Sequence, residues 1–191
     1  KAKGEKAIVL GSGPYRIGSS VEFDWCSVTC AKTLKDLRLE TIIINCNPET
    51  VSTDFDSADK LYFEELTFER DSDIYGIENE ACPADNGVNL VLGFGGQVPN
   101  NLAMSCFRAG YQILGTSPKS IDRAEDRNKF SKLLERLNIG QPLWQSLKNY
   151  RDALKFSRKI GYPVLIRPSY VLSGSAMNVV YTSSDLKKYL Q

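Results

Sequence analysis

The chain contains no histidine, and its five cysteines (Cys26, Cys30, Cys46, Cys82, Cys106) are odd in number and scattered. Cys26 and Cys30 stand four apart on an expected helix, a spacing a metal could use. No histidine and no second close cysteine pair completes such a site. The thiols are therefore expected to be reduced and mostly buried, as in an intracellular protein. Charge of one sign is also missing. Lys and Arg number 24 against 23 Asp and Glu, a formal net charge of +1. A chain so balanced is not built to hold nucleic acid by bulk electrostatics. No apolar stretch approaches the roughly 20 residues that cross a bilayer. The N-terminus has no charged-then-apolar leader pattern, which would say nothing about the parent if the segment were excised. Internal repeats and low-complexity tracts are absent as well.

What is there is a globular pattern. Of the 191 residues, 42% are hydrophobic, enough to bury a core in one or two domains. Lys6–Leu10 and Thr41–Asn45 predict strands. Val21–Leu37 predicts a helix with Val21, Trp25, Val28, Ala31 and Leu34 on its inward face. A helix is expected near Phe68–Glu78, then an irregular loop through Ala81–Gly87. A strand Val88–Phe94, a helix Pro99–Ala109 and a short strand Gln112–Leu114 continue the alternation. Repeated strand–helix–strand units argue for an α/β fold with a doubly wound, mostly parallel sheet.

After Gly115–Pro118 the character changes. One charged helix is expected over Ser120–Leu137, with Phe130, Leu133, Leu134 and Leu137 on one face. A helix Asp152–Ile160 follows, then strands Tyr162–Arg167 and Asn178–Thr182 forming an antiparallel hairpin, and a last helix Ser184–Tyr189. The expected domains are 1–118 and 119–191. The second has too few elements to close a core, as if truncated.

Two polar turns carry the unusual residues. GSGPYRIGSSVEFD (Gly11–Asp24) follows the first strand and NCNPETVSTDFD (Asn45–Asp56) follows the second. Ligands of open parallel sheets bind beyond the carboxyl ends of the strands. GSGPYRIG is not a dinucleotide fingerprint: its third glycine stands five residues after the second, not three, and no acidic residue ends the second strand. Other residues have plain readings. Ser19-Ser20-Val21-Glu22 is a capping box, Arg16 suits a surface salt bridge, and Asn45, Asn47 and Pro48 suit a turn without any ligand. GFGGQVPNN (Gly93–Asn101) reads as a turn tightened by glycine. In IDRAEDRNKF (Ile121–Phe130), Asp122 and Glu125 have capping-box spacing. Arg167 follows Val164-Leu165-Ile166, and an arginine buried there would be expensive without an anion. That makes it the foremost ligand candidate on residues alone. SGSAM (Ser173–Met177) reads either as a hairpin turn or as a small-residue loop whose N–H groups can approach phosphate.

Taken together and in this order, YRIGSSVEFDW, NCNPETVSTDFD, IDRAEDR and RPSYVLSGSAM resemble the large subunit of carbamoyl phosphate synthetase. More narrowly, they resemble the start of its second, carbamate-phosphorylating half. GFGGQVPNN resembles the GGQTP-type turn of the same family. The resemblance implies a pre-ATP-grasp domain followed by the N-terminal part of an ATP-grasp domain. It implies a parent ligase that phosphorylates carbamate with ATP. The product is carbamoyl phosphate for pyrimidine or arginine/urea synthesis, made from bicarbonate, ammonia drawn from glutamine, and two ATP.

Carried over residue by residue, the resemblance gives Arg127, Arg167, Ser173, Gly174 and Ser175 as ATP-binding residues, with Arg167 as the catalytic contact. It gives Arg16, Glu22 and Glu49 as walls of the passage that delivers carbamate. It also implies Mg2+ or Mn2+ held by ligands outside this segment, and K+ as a further cation. The implied partners are a glutaminase subunit or domain and the first synthetase half, with neither nucleic acid nor membrane among them. The implied location is cytoplasmic, or mitochondrial for an arginine/urea-cycle form. The segment alone is expected to be inactive. Two rivals remain: another ATP-grasp ligase such as a biotin carboxylase, against which the NPETVSTD turn and the flap sequence speak, and an inert interaction or allosteric piece.

Overall fold

The computed structural model describes residues 4–15, 21–82, 87–167 and 177–190. The chain divides into two compact units, Lys1–Asp122 and Arg123–Gln191. Among the described residues no helix is long and apolar enough to cross a membrane.

The first unit is built on five parallel strands, β1 (Lys6–Leu10), β2 (Glu40–Ile44), β3 (Lys60–Tyr62), β4 (Val88–Val91) and β5 (Gln112–Leu114), in the order β3-β2-β1-β4-β5. The central strands are continuous apolar runs because both faces are covered. On one face Ile8, Leu10, Ile42, Ile44, Leu90 and Leu92 pack with Ile74 of α2 (Phe68–Glu80) and with Ala103 and Cys106 of α3 (Gln97–Arg108). On the other, Val9, Ile43 and Val91 pack with Ala31 of α1 (Val21–Asp36). Alternating side chains thus feed two cores, and the sheet is doubly wound as expected.

Several details differ from the sequence expectation. Val21 and Trp25 do not face inward, Trp25 being 68% exposed. The buried residues of α1 are Asp24, Ser27, Val28 and Ala31. At about 100° per residue, that stripe is centred roughly 70° away from Val21 and roughly 110° away from Trp25. The short edge strand β3 and a 3₁₀ turn at Val51–Thr53 were not anticipated. Of the thiols, all free, only Cys106 is buried and the other four are half-buried.

In the second unit a two-stranded antiparallel sheet pairs β6 (Val164–Ile166) with β7 (Asn178–Val180). A small core of Ala153, Val180 and Leu186 joins this hairpin to α6 (Tyr150–Ile160) and α7 (Ser183–Leu190). The single charged helix expected over Ser120–Leu137 is two helices, α4 (Pro118–Glu125) and α5 (Arg127–Arg136). Asp126 separates them. Its backbone is extended and its carboxylate accepts the Lys129 amide at 3.0 Å, an N-cap that starts a new helix. Asp122 lies inside α4 and is no cap. The α5 face expected to be inward holds no buried residue.

Candidate functional site

Both polar turns emerge at the carboxyl end of the first unit's sheet, and two buried polar side chains knit them together. Asn45 directly follows β2 and is fully buried. Its Oδ1 accepts the amides of Gly13 and Cys46, each at 3.0 Å, and its Nδ2 donates to Ser52 Oγ at 2.8 Å. One side chain therefore joins the turn after β1 to the turn after β2. Asp24, on the buried face of α1 and 5% exposed, reaches the same turn. Its carboxylate accepts the amide of Val51 at 2.9 Å and that of Ser52 at 3.3 Å. Around them, Thr50 and Thr53 donate their hydroxyls to Asn47 O, both at 2.8 Å. The Glu49 amide donates to Asn47 Oδ1 at 3.1 Å.

Glu49 is exposed on this turn, where its own amide is engaged by Asn47 and those of Val51 and Ser52 by Asp24. Glu22 is exposed in the first turn of α1. Arg16 and the serines of the capping box lie outside the described residues, so the capping role of Glu22 lies outside them too.

The junction where strand order reverses, between β1 and β4, is closed by the protein's own backbone. A Cβ on Gly95 would collide with the carbonyl oxygens of Gly11 and Leu10, and one on Gly11 would sit 2.5 Å from Asn45 Cγ. The glycines of both motifs thus allow two loops to meet directly.

In the second unit Arg127 opens α5 and Arg167 follows β6. Burial, and then the Arg167 charge, lower the Arg127 pKa, against an opposing pull from Glu125. Arg167 itself is exposed. The expectation that it would be an expensively buried cation is therefore wrong, because β6 is a short edge-like strand that ends one residue earlier. The expected flap residues Ser173, Gly174 and Ser175 lie outside the described residues.

Two further charge sites were not foreseen. At the amino ends of the strands, Glu78 is buried and binds Lys6 Nζ at 2.6 Å, Lys60 Nζ at 2.9 Å and Tyr62 Oη at 2.6 Å. Burial alone would raise its pKa, but the hydrogen bonds from Lys6, Tyr62 and Lys60 prevail and bring it down to about 2. Asp71 of α2 is 2% exposed, and neither carboxylate oxygen has a hydrogen-bond partner among the described residues. Burial pushes its pKa up to about 7, and its charge adds to the burial that raises the Cys106 thiol. Among the described residues no group of three or more His, Cys, Asp and Glu side chains is arranged to hold a metal ion.

Comparison with known proteins gives two family matches that follow one another. Residues 3–123 match the carbamoyl phosphate synthase preATP-grasp domain, and residues 126–191 match the carbamoyl-phosphate synthase L chain, ATP binding domain. Over 184 residues the chain is 55% identical to the mitochondrial carbamoyl-phosphate synthase [ammonia] of Rattus norvegicus, covering 96% of this chain and 12% of the relative. It is also 55% identical to the arginine-specific carbamoyl phosphate synthase large chain of Cutaneotrichosporon cutaneum, covering 15% of it, and to the multifunctional protein URA2 of Saccharomyces cerevisiae, covering 8%. The chain thus spans a small part of the relatives it matches. Among solved structures, the biotin carboxylase domain of Hydrogenobacter thermophilus 2-oxoglutarate carboxylase superposes with a TM-score of 0.67 at 21% identity, covering 96% of this chain and 39% of that one. N5-carboxyaminoimidazole ribonucleotide synthetase from Thermotoga maritima gives 0.59 at 14% identity, covering 97% and 43%. At such identities these two speak for the fold alone.

Proposed function

The chain belongs to the carbamoyl phosphate synthase family, and we propose that it forms the start of the second, carbamate-phosphorylating half of such a synthase. The reaction is ATP + carbamate → ADP + carbamoyl phosphate. It is a phosphoryl transfer governed by positioning and charge neutralisation, without a covalent protein nucleophile. The observation that carries this reading is the pair of consecutive family matches over residues 3–123 and 126–191. The Arg167 charge disfavours the charged form of Arg127, and a phosphate bound by both would offset that while gaining charge-assisted hydrogen bonds. Arg167 then serves as the catalytic contact and Arg127 as a second phosphate ligand, with Ser173, Gly174 and Ser175 closing over the phosphates. Mg2+ or Mn2+, and K+, would be held by residues other than those described here.

In this reading Glu49, Glu22 and Arg16 line the route by which carbamate arrives from the first synthetase half, and a glutaminase subunit or domain supplies the ammonia. Glu49 is exposed on a turn whose Glu49, Val51 and Ser52 amides are taken by Asn47 and Asp24. The test is the partial reaction of a synthase bearing this segment: ATP formation from ADP and added carbamoyl phosphate. Arg167→Ala should slow it by about 100-fold or more, the equivalent of a lost bidentate charged interaction. A near wild-type rate would show that Arg167 is not a catalytic contact.

A further inference from the structure

The turn that carries Glu49 is held by its own hydrogen bonds and, at one point, by a side chain from another element. Its 3₁₀ segment Val51–Thr53 is preceded by Thr50, whose side chain makes no capping bond. That hydroxyl is committed to Asn47 O instead. The first amides of the segment would be left without acceptors, and they are taken by a carboxylate from another element, Asp24 of α1. Asp24 stands two residues after Glu22, and Val51 two residues after Glu49. The bond between them therefore fixes the backbones that bear the two acidic wall residues.

We infer that Asp24 is a positioning residue of the carbamate passage: its carboxylate holds the Val51 and Ser52 amides and thereby ties the turn that bears Glu49 to the helix that bears Glu22. The inference rests on the passage reading given above. A carboxylate with two syn oxygens can accept both amides, whereas an asparagine presents an NH2 to one of them. Asp24→Asn therefore keeps the shape of α1 and removes one of the two bonds.

The experiment compares Asp24→Asn and Glu49→Lys in a synthase bearing this segment. Three quantities are read: overall synthesis from bicarbonate and ammonia, ATP formation from ADP and added carbamoyl phosphate, and ADP released per carbamoyl phosphate made. Asp24→Asn should lower overall synthesis about tenfold, the equivalent of one charge-assisted hydrogen bond. It should raise the ADP released per product, because carbamate is lost on the way, and leave the partial reaction unchanged. Amide exchange at Val51 and Ser52 should quicken. If Asp24→Asn does not fold, Asp24→Glu keeps the charge, displaces it by one methylene, and should give the same split. If Glu49→Lys itself leaves the ADP-to-product ratio unaltered, the passage reading fails. If Glu49→Lys raises that ratio and the Asp24 variants do not, the passage stands and the role given to Asp24 is wrong. A fall in overall and partial reactions together, in step with lost folded protein, reduces Asp24 to a structural residue.

Discussion

The two units treat positive charge in opposite ways. In the first, Lys6 is buried against Glu78, which also takes Lys60 and the Tyr62 hydroxyl. Every cation in that cluster has its anion within the fold. In the second, Arg127 sits near Arg167, and repulsion adds to burial in making its charged form less favourable. A cluster of the first kind contributes to folding and leaves nothing for a ligand. One of the second kind has a like charge among the influences on its pKa, which an anion bound there would offset. Counting charged residues could not separate the two, since the balance over the whole chain is close to neutral.

That contrast can be tested by breaking each cluster in turn. Lys6→Met should have the largest effect on stability. It strands part of a buried carboxylate, and breaking such a pair costs about 3–5 kcal/mol, read as a lower urea midpoint for the first unit. The pH dependence goes with it. The Glu78 pKa is lowered to about 2 from 4.5, so the stability it contributes is present above pH 4.5 and lost as pH falls through 2. Urea midpoints of the unaltered chain should fall over that range, and less steeply in Lys6→Met.

Asp71 is the exception within the first unit, and the next largest effect should come from removing it. Its pKa is raised from 3.8 to about 7, so the folded state holds its proton more tightly than the unfolded one. Stability is then greatest below pH 4 and declines as pH rises through 7. Asp71→Val should stabilise the chain by about 2–4 kcal/mol at pH 8, with the gain shrinking towards pH 4. A gain that does not depend on pH would mean that the carboxyl does not titrate in this range.

A smaller effect is expected at the loop junction. Gly11→Ala places a Cβ 2.5 Å from Asn45 Cγ. It should cost about 1–3 kcal/mol through overpacking and quicken amide exchange at Gly13, the partner of Asn45. Arg127→Met should have the smallest effect on stability, less than about 1 kcal/mol in either direction, because the mutual repulsion it relieves offsets the attraction to Glu125 that it loses. A loss as large as that of Lys6→Met would mean that the arginine pair is structural after all, and the contrast between the units would fail.

Much of the fold was legible because it is local. The apolar runs at Lys6–Leu10, Thr41–Asn45 and Gln112–Leu114 read as strands, the second one residue out of step with β2, the antiparallel partners in the second unit read as a hairpin, and α2 and α3 were placed to within two residues. The turns themselves were legible from Gly, Asn and Pro, and so was their place after β1 and β2. The covered face of α1 was not. Its inward stripe contains Asp24 and Ser27, so hydrophobic periodicity pointed to Val21 and Trp25 instead. A polar residue one helical turn from Val28 and in register with Ala31 was the only signal available. The break at Asp126 was also missed, because a charged run looks continuous until one carboxylate turns back onto its own amide.

The sequence by itself therefore determined the strand–helix alternation, the parallel sheet and the identity of the candidate residues, since period, turn chemistry and motif order are properties of neighbouring positions. Tertiary structure alone decided which charges are neutralised inside the fold, as at Glu78, which is left without a partner among the described residues, as at Asp71, and which are set against one another, as at Arg127 and Arg167. It also decided that Asp24, far from Val51 along the chain, would hold the turn bearing Glu49. The physical reason is that desolvation and hydrogen-bond pairing depend on what covers a group from distant segments, and no local pattern encodes that cover.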